Sequence, residues 1–337
     1  MDKNNLIGFG LIGLVLVAFV YFNQPDPQQI EAQKRYQDSI TAVMQQQEAA
    51  LKEAEIAEAQ SKDSTSMLFN ALNGEEKFVT LANNNLSVRI STLGGRVCSA
   101  TLADYNNQEG GPVTLFSEED NIAVRNSRRN DDKIYNQFYF TLDGKQENID
   151  TRKLYFTPIE QTESNVTMRL GLGADKYLDF KYNLLPESYV VDLSIEAHNI
   201  ENLLPTSTKQ INIVWDQILR QQEKGYSFEQ RYTSLTYKPL NESTDYLSEY
   251  GDDTENIKEP VQWIAFKNQF FSCIMVAKDN FEDVTLKSDT LHEGKGYLKN
   301  CSADMTAPFD PSGKVATDFS FYFGPNKFSV LKESNEL

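Results

Sequence analysis

Two histidines, three cysteines, three acidic clusters and two tryptophans are the residues of this 337-residue chain whose types and spacing bear on chemistry. His198 and His292 stand apart, with no H-E-x-x-H, H-x-H or Cys/His grouping around either, which argues against a transition-metal site. Cys98, Cys273 and Cys301 are odd in number and lack C-x-x-C spacing, so they form neither a disulfide framework nor a zinc site. Cys98 and Cys273 lie in apolar runs and read as small buried hydrophobes. One bridge among the three stays open if the compartment is oxidising. Glu118-Glu119-Asp120, Asp131-Asp132 and Asp252-Asp253 read as solvated loop charge, with a calcium site or a glycosidase-like carboxylate pair as the sharper alternatives. Arg125, Arg128 and Arg129 form a basic island, either plain surface charge or a patch for an acidic partner. Trp215 and Trp263, flanked by apolar residues, suit core packing first and a ligand-stacking platform second. The chain contains no G-x-S-x-G elbow and no phosphate-binding G-x-x-x-x-G-K-[ST] loop. Gly8 to Gly13 spells a formal G-x-G-x-x-G, but no strand precedes it. No catalytic, cofactor-binding or metal-ligating residue is therefore assigned, and no cofactor is expected.

The elements around these residues are strands. From Phe78 onward apolar residues alternate with polar ones: Leu86, Val88, Ile90; Leu178, Phe180, Tyr182, Leu184; Val191, Leu193, Ile195, Ala197. Such alternation marks half-buried strands of antiparallel sheets. Further strands are predicted at 137–142, 165–170, 210–215, 263–277, 284–287 and 319–323. Turn clusters such as Asn83-Asn84-Asn85, Gly94-Gly95, Gly110-Gly111-Pro112 and Asp143-Gly144 punctuate them. The fold class is all-β: one large β-sandwich domain over 67–324. Gly324-Pro325 ends the last strand. Residues 325–337 then form a short helix, with Phe328 and Leu331 on one side as candidate partner contacts.

Ahead of the strands, Leu6 to Phe22 carries no charge. Its roughly 17 residues would rise about 25 Å as a helix, against a hydrocarbon core of about 30 Å. Residues 1–24 therefore read as an uncleaved transmembrane signal anchor, held in lipid by Leu6, Ile7, Phe9, Leu11, Ile12, Leu14, Phe19 and Phe22. The large domain that follows is expected outside the cytoplasm. Residues 25–66 form a stalk rich in Ala, Gln, Glu and Lys, either helical or a flexible tether, closing on the Ser61–Ser66 joint. Net charge is -17, and a domain this acidic repels phosphate backbones, so nucleic acid is not a partner.

Several stretches together carry a family resemblance. Met1-Asp2-Lys3-Asn4-Asn5 ahead of the apolar span, Gln33-Lys34-Arg35-Tyr36-Gln37-Asp38-Ser39-Ile40, Leu81 to Val97 with its Gly94-Gly95, Trp263 to Phe271, and Phe321-Tyr322-Phe323-Gly324-Pro325 resemble, in order and spacing, the membrane protein insertase YidC family of Bacteroidetes-type bacteria. The resemblance implies a periplasmic β-supersandwich similar to the galactose mutarotase fold, on the inner membrane. It implies a non-enzymatic role in inserting and folding membrane proteins, with lipid, nascent membrane proteins and the Sec translocon (SecYEG, SecDF) as partners. In that family five more membrane helices follow and carry the insertase region. No apolar run of spanning length follows Phe22 here, so those functional residues have no positions in this chain. The competing expectation is a membrane-tethered carbohydrate-binding or mutarotase-like protein, which requires His198 and His292 to converge beside a carboxylate.

Overall fold

Period-two alternation becomes antiparallel pairing in a computed structural model that describes residues 63–120, 136–294 and 296–327. The anchor residues Leu6 to Phe22, most of the stalk, the Arg125–Arg129 island, Asp131-Asp132, and Phe328 and Leu331 lie outside the described residues. Among the described residues no helix is long and apolar enough to cross a membrane.

Among the described residues eighteen strands run in chain order. They are β1 Phe78–Ala82, β2 Leu86–Ser91, β3 Val97–Asn106, β4 Pro112–Phe116, β5 Phe138–Leu142, β6 Ile149–Asp150, β7 Thr157–Gln161, β8 Asn165–Gly171 and β9 Tyr177–Leu184. Then come β10 Val190–His198, β11 Gln210–Arg220, β12 Ser234–Pro239, β13 Asp245–Tyr246, β14 Asp253–Ile257, β15 Val261–Lys267, β16 Phe271–Thr290, β17 Tyr297–Pro308 and β18 Thr317–Pro325. Two short α-helices, α1 Phe69–Leu72 and α2 Tyr226–Arg231, accompany them among the described residues.

β1 to β4 form a four-stranded sheet in sequence order, and the other fourteen strands form one large sheet. The large sheet works as two halves because β16 changes partners along its length. Phe271 to Ala277 pairs with β18, and Glu282 to Thr290 pairs with β17. Asn280, between the two segments, and Asp283, at the register shift that opens the second, take positive φ, 67° and 50°. Asn and Asp tolerate that region, and bends of this kind let a strand pass from one sheet to another. The halves then meet through aromatic side chains. Trp215 of β11 stacks on Phe266 of β15 at 3.9 Å between centroids, Phe138 of β5 meets Phe321 of β18 at 5.3 Å, and Phe140 meets Phe180 of β9 at 5.2 Å. Most of the buried apolar side chains join one continuous core. The expected large all-β sandwich is the architecture found.

Several strand boundaries differ from expectation. The single strand expected over 263–277 is a hairpin, β15 and β16. Asn268 makes the turn by accepting the N–H groups of Phe270 and Phe271 on Oδ1, at 3.1 and 2.8 Å. Such an Asx turn involves one side chain, so apolar periodicity runs through it unmarked. The strand expected at 284–287 is the far half of β16. β17, twelve residues long, was not anticipated, because Lys299, Asn300 and Ser302 interrupt its apolar pattern. Lys299 is fully buried all the same. Its ammonium donates to the Ser248 carbonyl at 2.9 Å and the Ser288 hydroxyl at 3.3 Å, and burial lowers its pKa.

Candidate functional site

β11 places the residues that matter most. Its inward face carries Ile211, Ile213, Trp215 and Gln217, so a polar amide sits in apolar phase. Gln217 is 1% exposed. Its Nε2 donates to the Cys273 sulfur at 3.2 Å, while Oε1 has no hydrogen-bond partner. A buried acceptor left unsatisfied costs about 1–3 kcal/mol. Gln217 lines a small recess of about 20 Å³, room for about one water, between the four-stranded sheet and the inner face of the large one. The walls are aromatic: Phe116 from β4, Phe138 from β5, Trp215 from β11, and Phe321 and Phe323 from β18. These rings hold one another, Phe116 against Phe323 at 5.5 Å and Phe321 parallel to Phe323 at 5.6 Å. Asn136, Gln137 and Asp216 line it beside Gln217, so polar groups share the wall with the rings, and its volume is far below that of a small-molecule site.

One rim of the recess rests on a buried polar cluster. Asp120 is 1% exposed and accepts from Arg220 Nε at 2.7 Å, the Tyr297 hydroxyl at 3.0 Å, the Ser117 N–H at 2.7 Å and Asn136 Nδ2 at 3.2 Å. Asn136 in turn accepts the Ile218 N–H at 2.8 Å, which ties the cluster to β11. Burial, with Asp120 alongside, raises the Tyr297 pKa and keeps the phenol a donor. This corrects the expectation of solvated charge at 118–120. Only Glu119 is exposed there, since Glu118 pairs with Arg96 at 3.1 Å and Asp120 is enclosed. The reason is that Arg220 and Tyr297, remote in sequence, supply the compensation a buried carboxylate needs. Asp252 and Asp253 behave differently. They accept backbone N–H groups of Thr290 and Ser248 and fix a surface loop.

The histidines do not converge on this recess. His198 stacks on Tyr177 at 4.3 Å with Glu196 and Asp179 at 3.7 and 4.0 Å, His292 is exposed, and neither lines the recess. Among the described residues no group of three or more His, Cys, Asp or Glu could hold a metal ion. Cys98, Cys273 and Cys301 are all free and buried, as small hydrophobes are, and burial pushes each thiol up to about 12. Trp215 packs in the core and walls the recess, while Trp263 is half-buried and away from it. Sequence reasoning found Trp215 and missed Gln217, Phe138 and Phe321. The available signal was a glutamine in the inward register of an apolar strand.

Comparison with known proteins adds the following. The family description "YidC periplasmic domain" matches residues 78–337. Membrane protein insertase YidC of Phocaeicola vulgatus is 46% identical over 341 residues, covering 100% of this chain and 52% of that protein. The Bacteroides fragilis protein of the same name is 42% identical over 336 residues, covering 98% and 52%. The chain thus spans about half the length of the curated relatives it matches. Among solved structures, a galactose mutarotase-like protein from Lactobacillus casei covers 74% of this chain and 100% of its own, at 10% identity and a TM-score of 0.48. The periplasmic domain of Thermotoga maritima YidC covers 76% and 87%, at 13% identity and a TM-score of 0.35.

Proposed function

Because the chain belongs to the YidC family, we propose that it is the anchor and periplasmic part of an inner-membrane insertase that assists insertion and folding of membrane proteins. The observation that carries the reading is identity of 46% running through the whole chain to a protein named for that activity. In this reading residues 1–24 anchor the chain through Leu6, Ile7, Phe9, Leu11, Ile12, Leu14, Phe19 and Phe22. Residues 25–66 are the stalk, 67–324 the domain outside the membrane, and 325–337 a short helix whose Phe328 and Leu331 touch a partner. Lipid, nascent membrane proteins and the Sec translocon, with SecYEG and SecDF, are the proposed partners. The reading assigns no catalysis to the chain.

The test is depletion of the protein carrying this chain, followed by protease accessibility of newly made inner-membrane proteins. Delayed insertion, restored by the full gene, is the expected result. Unchanged insertion of every client overturns the reading. Protease added to spheroplasts should digest the strand domain, and its protection would overturn the orientation.

A further inference from the structure

We propose that the free edge of β1 pairs with an extended segment of a client polypeptide, which adds a strand to the four-stranded sheet. The client comes from the insertase reading; the pairing rests on the edge itself. β1 is an outer strand of that sheet, and its register with β2 runs without a shift from Phe78↔Ser91 to Ala82↔Ser87. The Asn83 N–H donates to the Leu86 carbonyl at 3.0 Å, whereas the Ala82 N–H turns the other way, to the Glu163 carbonyl at 2.9 Å. Hydrogen-bonded and non-hydrogen-bonded pairs alternate along an antiparallel ladder. Leu81 and Val79 therefore bond to β2, and the N–H and C=O groups of Thr80 and Phe78 point outward. Among the described residues nothing bonds to those outward groups.

The other edge strands are blunted in the ways that keep sheets from pairing at random. β7 has Pro158, Glu160 and a register shift between them. β4 begins at Pro112, and its Thr114 carbonyl accepts from Gln222 Nε2 at 2.9 Å. β6 and β13 are two residues long, and β14 carries Asp253 and Glu255. β1, Phe-Val-Thr-Leu-Ala, has no proline, charge or bulge. Outward donors and acceptors alternating at strand spacing fit an extended backbone. Phe78, 42% exposed beneath the Arg89 guanidinium at 4.2 Å, favours a β-branched or aromatic residue opposite. Lys77 pairs with Glu75 at 3.0 Å, which leaves exposed Glu76 at one end of the edge and exposed Glu163 at the other. A segment with lysine or arginine at its ends complements them. A second copy fits less well. Self-pairing about Thr80 sets Ala82 opposite Phe78, and the Ala82 N–H is already committed. Two chains of net charge -17 also repel.

The experiment uses the full chain in detergent micelles and the acetylated, amidated peptide Lys-Val-Thr-Val-Thr-Val-Lys, titrated against empty micelles as the blank. Saturable binding is expected. Residue-resolved amide exchange should slow at Phe78 and Thr80 and stay the same at Val79 and Leu81, whose N–H groups are already in the ladder. Thr80→Pro removes one outward donor and leaves the β1–β2 bonds in place. It should keep the thermal midpoint and weaken binding at least about fivefold, the value of one neutral hydrogen bond. Thr80→Val should bind as the parent does. A peptide N-methylated at its inner residues cannot pair and should not bind; it carries the test if Thr80→Pro does not fold. No saturable binding, binding that survives Thr80→Pro or N-methylation, or exchange that slows elsewhere but not at Phe78 and Thr80 overturns the proposal. So does a dimer in sedimentation that Thr80→Pro dissociates, because a second copy then holds the edge. Those failures leave the insertase reading intact, because that reading is measured by client insertion. Loss of the insertase reading with peptide binding intact leaves the edge and removes only its proposed client.

Discussion

Arg220 donates through Nε to Asp120 Oδ1 at 2.7 Å across 100 residues of sequence, and this pair fixes the end of β11 against the loop after β4. Removing one partner of a buried pair leaves an uncompensated charge, a loss of about 3–5 kcal/mol when both partners are enclosed. Arg220 is a quarter exposed, so Arg220→Ala should cost less, about 2–3 kcal/mol. Asp120→Asn with Arg220→Gln should recover part of it. Urea denaturation of Asp120→Asn, Arg220→Gln and the double measures the coupling; strictly additive losses would show that the pair does not act as a unit.

Gly94 and Gly95 both take positive φ, 84° and 61°, in the turn between β2 and β3. A Cβ on Gly95 would lie 2.8 Å from the Phe156 ring, and the Gly95 carbonyl accepts the buried Tyr182 hydroxyl at 2.7 Å. Backbone strain and ring displacement together make Gly95→Ala destabilising by about 2–3 kcal/mol. Tyr182→Phe removes only the hydrogen bond and should cost about 1–2 kcal/mol. Thermal midpoints of the two variants should fall in that order.

Stability should decline in alkali. The three buried thiols are held up to about 12, whereas an unfolded cysteine ionises near about 8.5. Above that lower value the unfolded chain sheds protons that the folded chain keeps, so each thiol's contribution, complete below it, drains away as pH climbs toward 12. Each contributes a slope of about 1.4 kcal/mol per pH unit. Lys299 acts in the opposite sense. Its lowered pKa adds stability as pH rises from that value to the ordinary lysine range of about 10.4, and one ammonium does not offset three thiols. Denaturation midpoints should fall with pH above about 8.5, and replacing all three cysteines by alanine should flatten the curve up to about pH 10, where buried tyrosines such as Tyr182 and Tyr297, also raised by burial, begin to act in the same sense.

Residues 63–327 contain every described strand and the core that joins them. A polypeptide of that span should fold in water without detergent and unfold in one cooperative transition. Aggregation without a transition would mean that the preceding residues contribute to the fold.

Much of the fold is legible in the sequence because burial on one face writes a period of two along each strand. Leu178 to Leu184 and Val191 to Ala197 are β9 and β10, and they pair with each other as alternation and a short connection require. The signal fails where a polar residue is buried and satisfied from elsewhere. Lys299 hides β17, and Asp120 passes for surface charge, because Ser248, Ser288, Arg220 and Tyr297 are distant in the chain.

The amino-acid order alone therefore determined the strand-rich class, the apolar segment at 6–22 and the family likeness, since each is written in local composition or contiguous pattern. It left open which side chains share a cavity. That was decided only when β16 bent at Asn280 and Asp283 and carried β18 across to face β5 and β11. Phe138, Trp215, Gln217 and Phe321 come from three strands spread over more than half of the chain, and only long-range sheet pairing sets them around one recess. Proximity of that kind is set by backbone hydrogen bonds between remote segments, which no local periodicity encodes.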